Sequence, residues 1–220
     1  TGSDYRHFFG EHTGNGSTNN PIDFRTDNVA TPLMTAARSN ASGPRVWSGP
    51  SVVLGAWRHY AVTYVEAIQT APTFYLNAVP TTGTLAAGSE TGPSTGSGAT
   101  IRIGARADAV VNMDGRIAEM CVWSRILSTT EIEIVMRTGP FSVPGTLLFY
   151  MPIFGTTSPE PDFSGFNAHG TVTNTVRIDH PSGISAIWLA PHPRLSQVAA
   201  AAVANPAYQP WYHRAPVLAQ

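Results

Sequence analysis

Two pairs of carboxylates stand close enough in the chain for general acid and base work: Glu131 with Glu133, and Glu160 with Asp162. Glycoside cleavage needs one carboxyl group to protonate the leaving oxygen and a second to attack, or to activate water. Glu131 and Glu133 flank Ile132 in a segment of helical periodicity, which predicts a cap and a solvated face. Glu160 and Asp162 sit in a proline-bounded loop where they could approach each other, but catalysis there is not the preferred reading. Gly92-Pro93-Ser94-Thr95-Gly96 matches a nucleophile elbow in letters only, because that motif needs a strained turn between a strand and a helix. The seven histidines show neither H-x-x-x-H nor H-E-x-x-H spacing; His7 and His12 are the nearest pair. His59 is expected to pack in the core and His169 to settle a loop. Cys121 is alone, which excludes a disulfide framework and a cysteine-based zinc site and predicts a small buried strand residue. No catalytic residue and no resident cofactor are expected.

Charge excludes further chemistry. All 13 basic residues are arginine, so Schiff-base and P-loop lysines are absent. A net charge of −1 disfavours nucleic acid as a partner. No apolar stretch approaches the roughly 20 residues of a membrane-spanning helix, so no membrane partner is expected.

The elements that must position any site are strands. Charged residues make up 12% of the 220-residue chain, well below the roughly 25% of an ordinary domain, while 20 glycines and 18 prolines punctuate it throughout. Strands are predicted over residues 5–9, 22–25, 33–38, 57–64, 73–76, 101–103, 115–123, 147–151 and 170–178. Within 57–64, Tyr60, Val62 and Tyr64 share one face and Trp57, His59, Ala61 and Thr63 the other, as in a strand buried on both sides. The Gly/Ser/Thr-rich stretch 81–99 reads as an exposed, mobile loop. One short helix is predicted after Ser128-Thr129-Thr130-Glu131, a capping box, with Gly139-Pro140 as its stop. The fold class is all-β, a two-sheet antiparallel jelly-roll sandwich over residues 1–185 with an extended Pro/Ala-rich C-terminal arm over 186–220.

Aromatic side chains are the remaining candidates for binding. Trp47, beside Gly49-Pro50, reads as a loop tryptophan able to stack on a sugar ring; Trp57 and Trp123 read as core. Trp188, Trp211 and Tyr212 lie in the arm, which has no local core to bury them. Either a partner subunit covers them or the arm packs back on its own domain, and the first reading is preferred.

The segment Trp57-Arg58-His59-Tyr60-Ala61-Val62-Thr63-Tyr64 resembles the W-x-H-x-A-V-T-Y strand of laminin-G-like domains in the concanavalin A-like lectin/glucanase superfamily. Phe74-Tyr75-Leu76-Asn77-Ala78-Val79 is similar to their Y-V-N-G-V hairpin, with Ala78 where glycine is usual, and Ile101-Arg102-Ile103-Gly104 to their I-x-I-G strand. The run from Met113-Asp114-Gly115-Arg116-Ile117 through Val122-Trp123-Ser124-Arg125-Ile126-Leu127-Ser128 to Glu131-Ile132 resembles their F-x-G-x-I-D-E-V-x-V-W-x-R-x-L-S-x-x-E-I signature. The resemblance implies a jelly roll, and adhesion or carbohydrate binding. The E-x-D-x-E strand of the superfamily's retaining glucanases has no counterpart here. Many such domains hold calcium at the sandwich rim, for which Asp162, Asn167 and Asp114 are the candidates; turn-forming side chains that bond their own backbone are the preferred reading. The usual first strand is missing, and residues 147–152 and 162–171 resemble a segment often found at the start of such domains. A permuted closure, with 147–178 completing the sheets, is therefore expected, a truncated second repeat being the alternative.

The resulting expectation is a noncatalytic structural or adhesion protein of an extracellular or virion-surface assembly: a decoration, coat or fibre-associated component that also binds glycans in one version. The partners are other protein subunits met through the arm, in an oligomer or lattice. A stand-alone lectin is the alternative, with a glycoside hydrolase behind it.

Overall fold

A computed structural model describes residues 6–11, 22–27, 32–40, 42–94, 100–106, 113–153, 158–173 and 175. Eleven strands and one α-helix are formed among them: β1 (His7–Glu11), β2 (Asp23–Thr26), β3 (Leu33–Asn40), β4 (Gly43–Ser51), β5 (Tyr60–Thr63), β6 (Thr73–Leu76), β7 (Val79–Thr82), β8 (Thr84–Ala87), β9 (Ile101–Ile103), β10 (Met120–Trp123), α1 (Thr129–Thr138) and β11 (Leu147–Met151). All pairings are antiparallel. They build a six-stranded sheet in the order β8-β4-β3-β2-β1-β9, a three-stranded sheet β5-β6-β7, and the pair β10-β11.

Strand alternation divides the core in two. Phe74, Tyr60 and Val62 face Phe24, Met34, Ala36 and Trp47 of the six-stranded sheet. Ala61 and Tyr75, one residue out of phase, face the helix side, where Leu127, Ile132, Val135 and Val143 gather with Cys121 and Trp123 against them. Strands β5 and β6 thus pack on both faces, as the weakly polar pattern of residues 57–64 predicts, while β7 is exposed.

The helix begins where the capping box predicts: the Ser128 hydroxyl accepts the Glu131 N–H while the Glu131 carboxylate accepts the Ser128 N–H. Four expectations need correction. Residues 57–59 lie outside the strand, which starts at Tyr60. Residues 115–119 are likewise outside β10, because Glu119 takes a left-handed φ of 57° and turns its N–H to the Pro152 carbonyl. Strand β4 went unforeseen, since its glycines and prolines read as loop; Gly49 is there because a Cβ would lie 2.4 Å from the Phe74 ring. Within 81–99, β8 forms and residues 92–94 are tied back: Ile68 donates to the Gly92 carbonyl and Ser94 to that of Glu66. Residues 95–99 lie outside the described residues.

β11 pairs along β10 from Met120↔Met151 to Trp123↔Leu147. Downstream, Gly170 forms one bridge to Glu160, and residues 171–173 form no strand. Residues 174 and 176–178, and the whole of 186–220 with Trp188, Trp211 and Tyr212, lie outside the described residues. No helix among the described residues is long and apolar enough to cross a membrane.

Candidate functional site

The carboxylates proposed for chemistry are built into the architecture. Asp162 Oδ1 accepts the N–H groups of Tyr150 and Ser164, both at 2.9 Å. Its Oδ2 accepts the Ser164 hydroxyl at 2.7 Å and the Ala168 N–H at 3.0 Å. Burial alone would raise the pKa of this carboxyl, but the amides of Tyr150 and Ser164, the Ser164 hydroxyl and the Ala168 amide outweigh it and hold the group below its ordinary value. The Asp162 N–H donates to His169 Nδ1 at 3.0 Å, so His169 settles this loop as expected. Glu160 is also buried, and its backbone exchanges both hydrogen bonds with Gly170. With both oxygens of Asp162 doubly engaged, the geometry favours a structural carboxylate over a nucleophile or a calcium ligand. Asp114 and Asn167 are exposed, Asn167 holding a left-handed φ of 58° in the same turn. Among the described residues, no three His, Cys, Asp or Glu side chains are grouped to hold a metal ion.

Glu131 is bound in the cap and by Arg125, whose Nη1 and Nη2 reach its two oxygens at 3.0 and 2.6 Å. Arg125, then Ser128, hold its pKa down to about 2. Glu133 pairs with Arg137 one turn along the exposed face. Ser94, the nominal elbow serine, accepts from the buried Arg38 guanidinium at 3.1 Å, and residues 95 and 96 of that match lie outside the described residues.

The tryptophans exchange roles relative to expectation. Trp47 is only 7% exposed: it lies in β4, in the core, with its indole N–H donating to the Ile68 carbonyl at 3.2 Å. A ring buried in this way offers no face to a sugar. Trp57 is 39% exposed in the loop before β5, beside Leu54 at 74%. That loop is fixed at both ends: Val53 donates to the Tyr60 hydroxyl, and His59 and Asn77 exchange two hydrogen bonds. Arg58, also exposed, donates to the Trp57 carbonyl. Phe166 is 60% exposed at the tip of the turn that Asp162 holds through Ser164 and Ala168. The exposure of Trp57 went unforeseen because the strand pattern seemed to continue through it. Trp123 packs, half-buried, against the helix-side core as expected.

Two buried polar groups have no local signal in the sequence. Arg38 is fully buried on β3, with Nη2 donating to the Glu66 carbonyl at 2.6 Å, Nη1 to that of Ala67 at 3.2 Å, and its guanidinium 4.4 Å from the Tyr64 ring centre. His7 Nδ1 lies 2.8 Å from Asp23 Oδ1, and Arg25 reaches the other oxygen at 2.9 Å. His12, the sequence neighbour considered for His7, lies outside the described residues. His59 is half-buried, and burial lowers its pKa to about 4, so it is neutral at pH 7.

A family model described as the concanavalin A-like lectin/glucanases superfamily, of laminin-G type, matches residues 1–133. The chain belongs to this superfamily. The match contains the first nine strands, β10 and the start of α1, and so takes in both faces of the three-stranded sheet. Searches of curated proteins and of solved structures return no match. Superfamily membership is compatible with a lectin or a structural role and does not choose between them.

Proposed function

We propose that this laminin-G-like domain is a noncatalytic structural or adhesion module of an extracellular or virion-surface assembly, as a decoration, coat or fibre-associated protein. One contrast carries the reading: Asp162 and Glu131 are held by backbone, hydroxyl and guanidinium donors, whereas Trp57, Leu54 and Phe166 stand in water on turns with fixed backbones. Large apolar groups on a pre-organised backbone suit recognition, because little conformational entropy remains to be lost on contact. The aromatics Trp188, Trp211 and Tyr212 of the arm add anchors of the type that dominates subunit contacts. Light scattering on the full chain and on a Trp188→Ala/Trp211→Ala/Tyr212→Ala variant tests this. A multiple of 23.4 kDa that falls to 23.4 kDa in the variant is expected, and 23.4 kDa for both would overturn assembly through the arm.

A second reading, glycan binding, rests on Trp57 in place of Trp47, since an exposed indole beside a guanidinium can stack on a sugar ring and donate to its oxygens. On a glycan array, signal from wild type that disappears with Trp57→Ala supports it; no signal from wild type counts against it.

A further inference from the structure

Strands β7 and β8 are the outer strands of their two sheets and are joined only by Gly83, so they lie along one flank of the sandwich. Every residue of both strands is exposed. No charged side chain occurs between Glu66 and Glu90. Exposed edges invite another strand, and proteins guard them with charges, lysine above all, or with proline and bulges. This chain has no lysine and no charge anywhere on the flank, so the guard must lie in the backbone.

Two backbone hydrogen bonds fix the phase of the ladder. Asn77 donates to the His59 carbonyl, and Gly83 donates to that of Pro72. Odd-numbered residues of β6 therefore turn their backbone groups to β5, and even-numbered ones turn theirs to β7. Pro80 lies opposite Tyr75, so its own backbone groups point outward. The missing N–H of proline falls on the free edge, at the middle of the four-residue strand. On β8, Val46 pairs with Ala87 and Trp47 with Leu85, leaving Ala86 as the extra residue of a bulge that twists the edge.

We propose that Pro80 guards this flank against strand-to-strand pairing with a second copy of the chain. A second copy fits because antiparallel pairing of identical charge-free strands brings no like charges together, and a net charge of −1 adds little repulsion between copies. The inference goes beyond the proposed function, which assigns no role to this edge.

The test is sedimentation velocity on the full chain over a concentration series, with circular dichroism to verify folding. Pro80→Thr restores the outward N–H and is expected to raise the self-association constant about tenfold over wild type. Adding Leu85→Lys, which places a charge on the exposed edge, is expected to return it to the wild-type value. Thr82→Cys should cross-link copies in the Pro80→Thr background and not in the wild-type one. Pro80→Ala, which restores the N–H with only a methyl side chain, is read in the same way if the threonine variant does not fold. A folded variant that sediments as wild type at every concentration, or that associates without the Thr82→Cys cross-link, would overturn the proposal. Arm-mediated assembly in wild type would be unaffected by either result, so the two readings fail separately.

Discussion

Arg38 and Arg125 hold their surroundings together in opposite ways. Arg125 lies at the surface, bidentate to Glu131 and donating also to the Pro144 carbonyl. Arg38 is sealed between the sheets with carbonyl oxygens, a serine hydroxyl and a tyrosine ring for partners, and burial lowers its pKa, with Tyr64 and Glu66 offsetting part of that. The exposed pair has the full complement of opposite charges and competes with water at every contact, so it contributes little. The buried cation shares its carbonyls with the N–H groups of Ser94 and Thr70, so removing it takes away a set of bonds at a fully buried position without stranding either carbonyl. Burial of the arginine itself, more than formal charge pairing, sets what each arginine is worth.

Replacing Arg38 should therefore have the largest effect. Arg38→Met removes the guanidinium's bonds to the Glu66 and Ala67 carbonyls and to Ser94, together with its contact to the Tyr64 ring, at a cost of about 3 kcal/mol. Thermal unfolding should show a fall of about 10 °C in Tm. A fall no larger than that of Arg125→Ala, expected to be under about 1 kcal/mol, would break the comparison.

The next effect in size is one of pH. His59 titrates near 4 in the folded chain against 6.5 ordinarily, because burial disfavours its charged form. Between those values the unfolded chain binds a proton that the folded chain does not. Stability is therefore complete above about pH 6.5 and declines as pH falls towards 4, by up to about 3 kcal/mol. Urea midpoints measured across this window for wild type and His59→Phe should show the slope in the first and its loss in the second. Glu131, held down to about 2 from 4.5, adds a loss that begins only below its ordinary value. A smaller effect belongs to the exposed cap, where Ser128→Ala removes the acceptor for the Glu131 N–H and should cost about 1 kcal/mol by denaturant unfolding.

The same division between local and distant contacts decides what could be read from the sequence. Ser128 and Glu131 are three residues apart, and their capping box is written in adjacent letters. The alternation of Tyr60 and Val62 against Ala61 is equally local, and both faces of β5 follow from it. The Asn77-Ala78 turn is similarly explicit, with left-handed φ angles of 51° and 65° where the family hairpin has its Asn-Gly. Arg38, by contrast, meets Glu66 across 28 residues of sequence and Ser94 across 56, and Asp162 meets Tyr150 on β11, itself paired with β10. Trp47 and Trp57 were misread for a related reason. Gly49 and Pro50 mark a loop by composition, but Gly49 is the site of close approach by Phe74, which keeps Trp47 inside. Glu160 and Asp162 stand two apart in the chain, while the donors that engage Asp162 have no sequence mark.

The central claim is that the carboxylates of this chain maintain architecture and that function lies in its exposed aromatic and apolar surface. Asp162→Asn tests it most directly, with melting temperature and polysaccharide turnover measured on the same preparations. The account predicts a Tm lowered by about 5 °C, from roughly 2 kcal/mol of lost charge-assisted hydrogen bonding, and no turnover by either protein. Turnover by wild type that disappears in the variant at an unchanged melting temperature would contradict it.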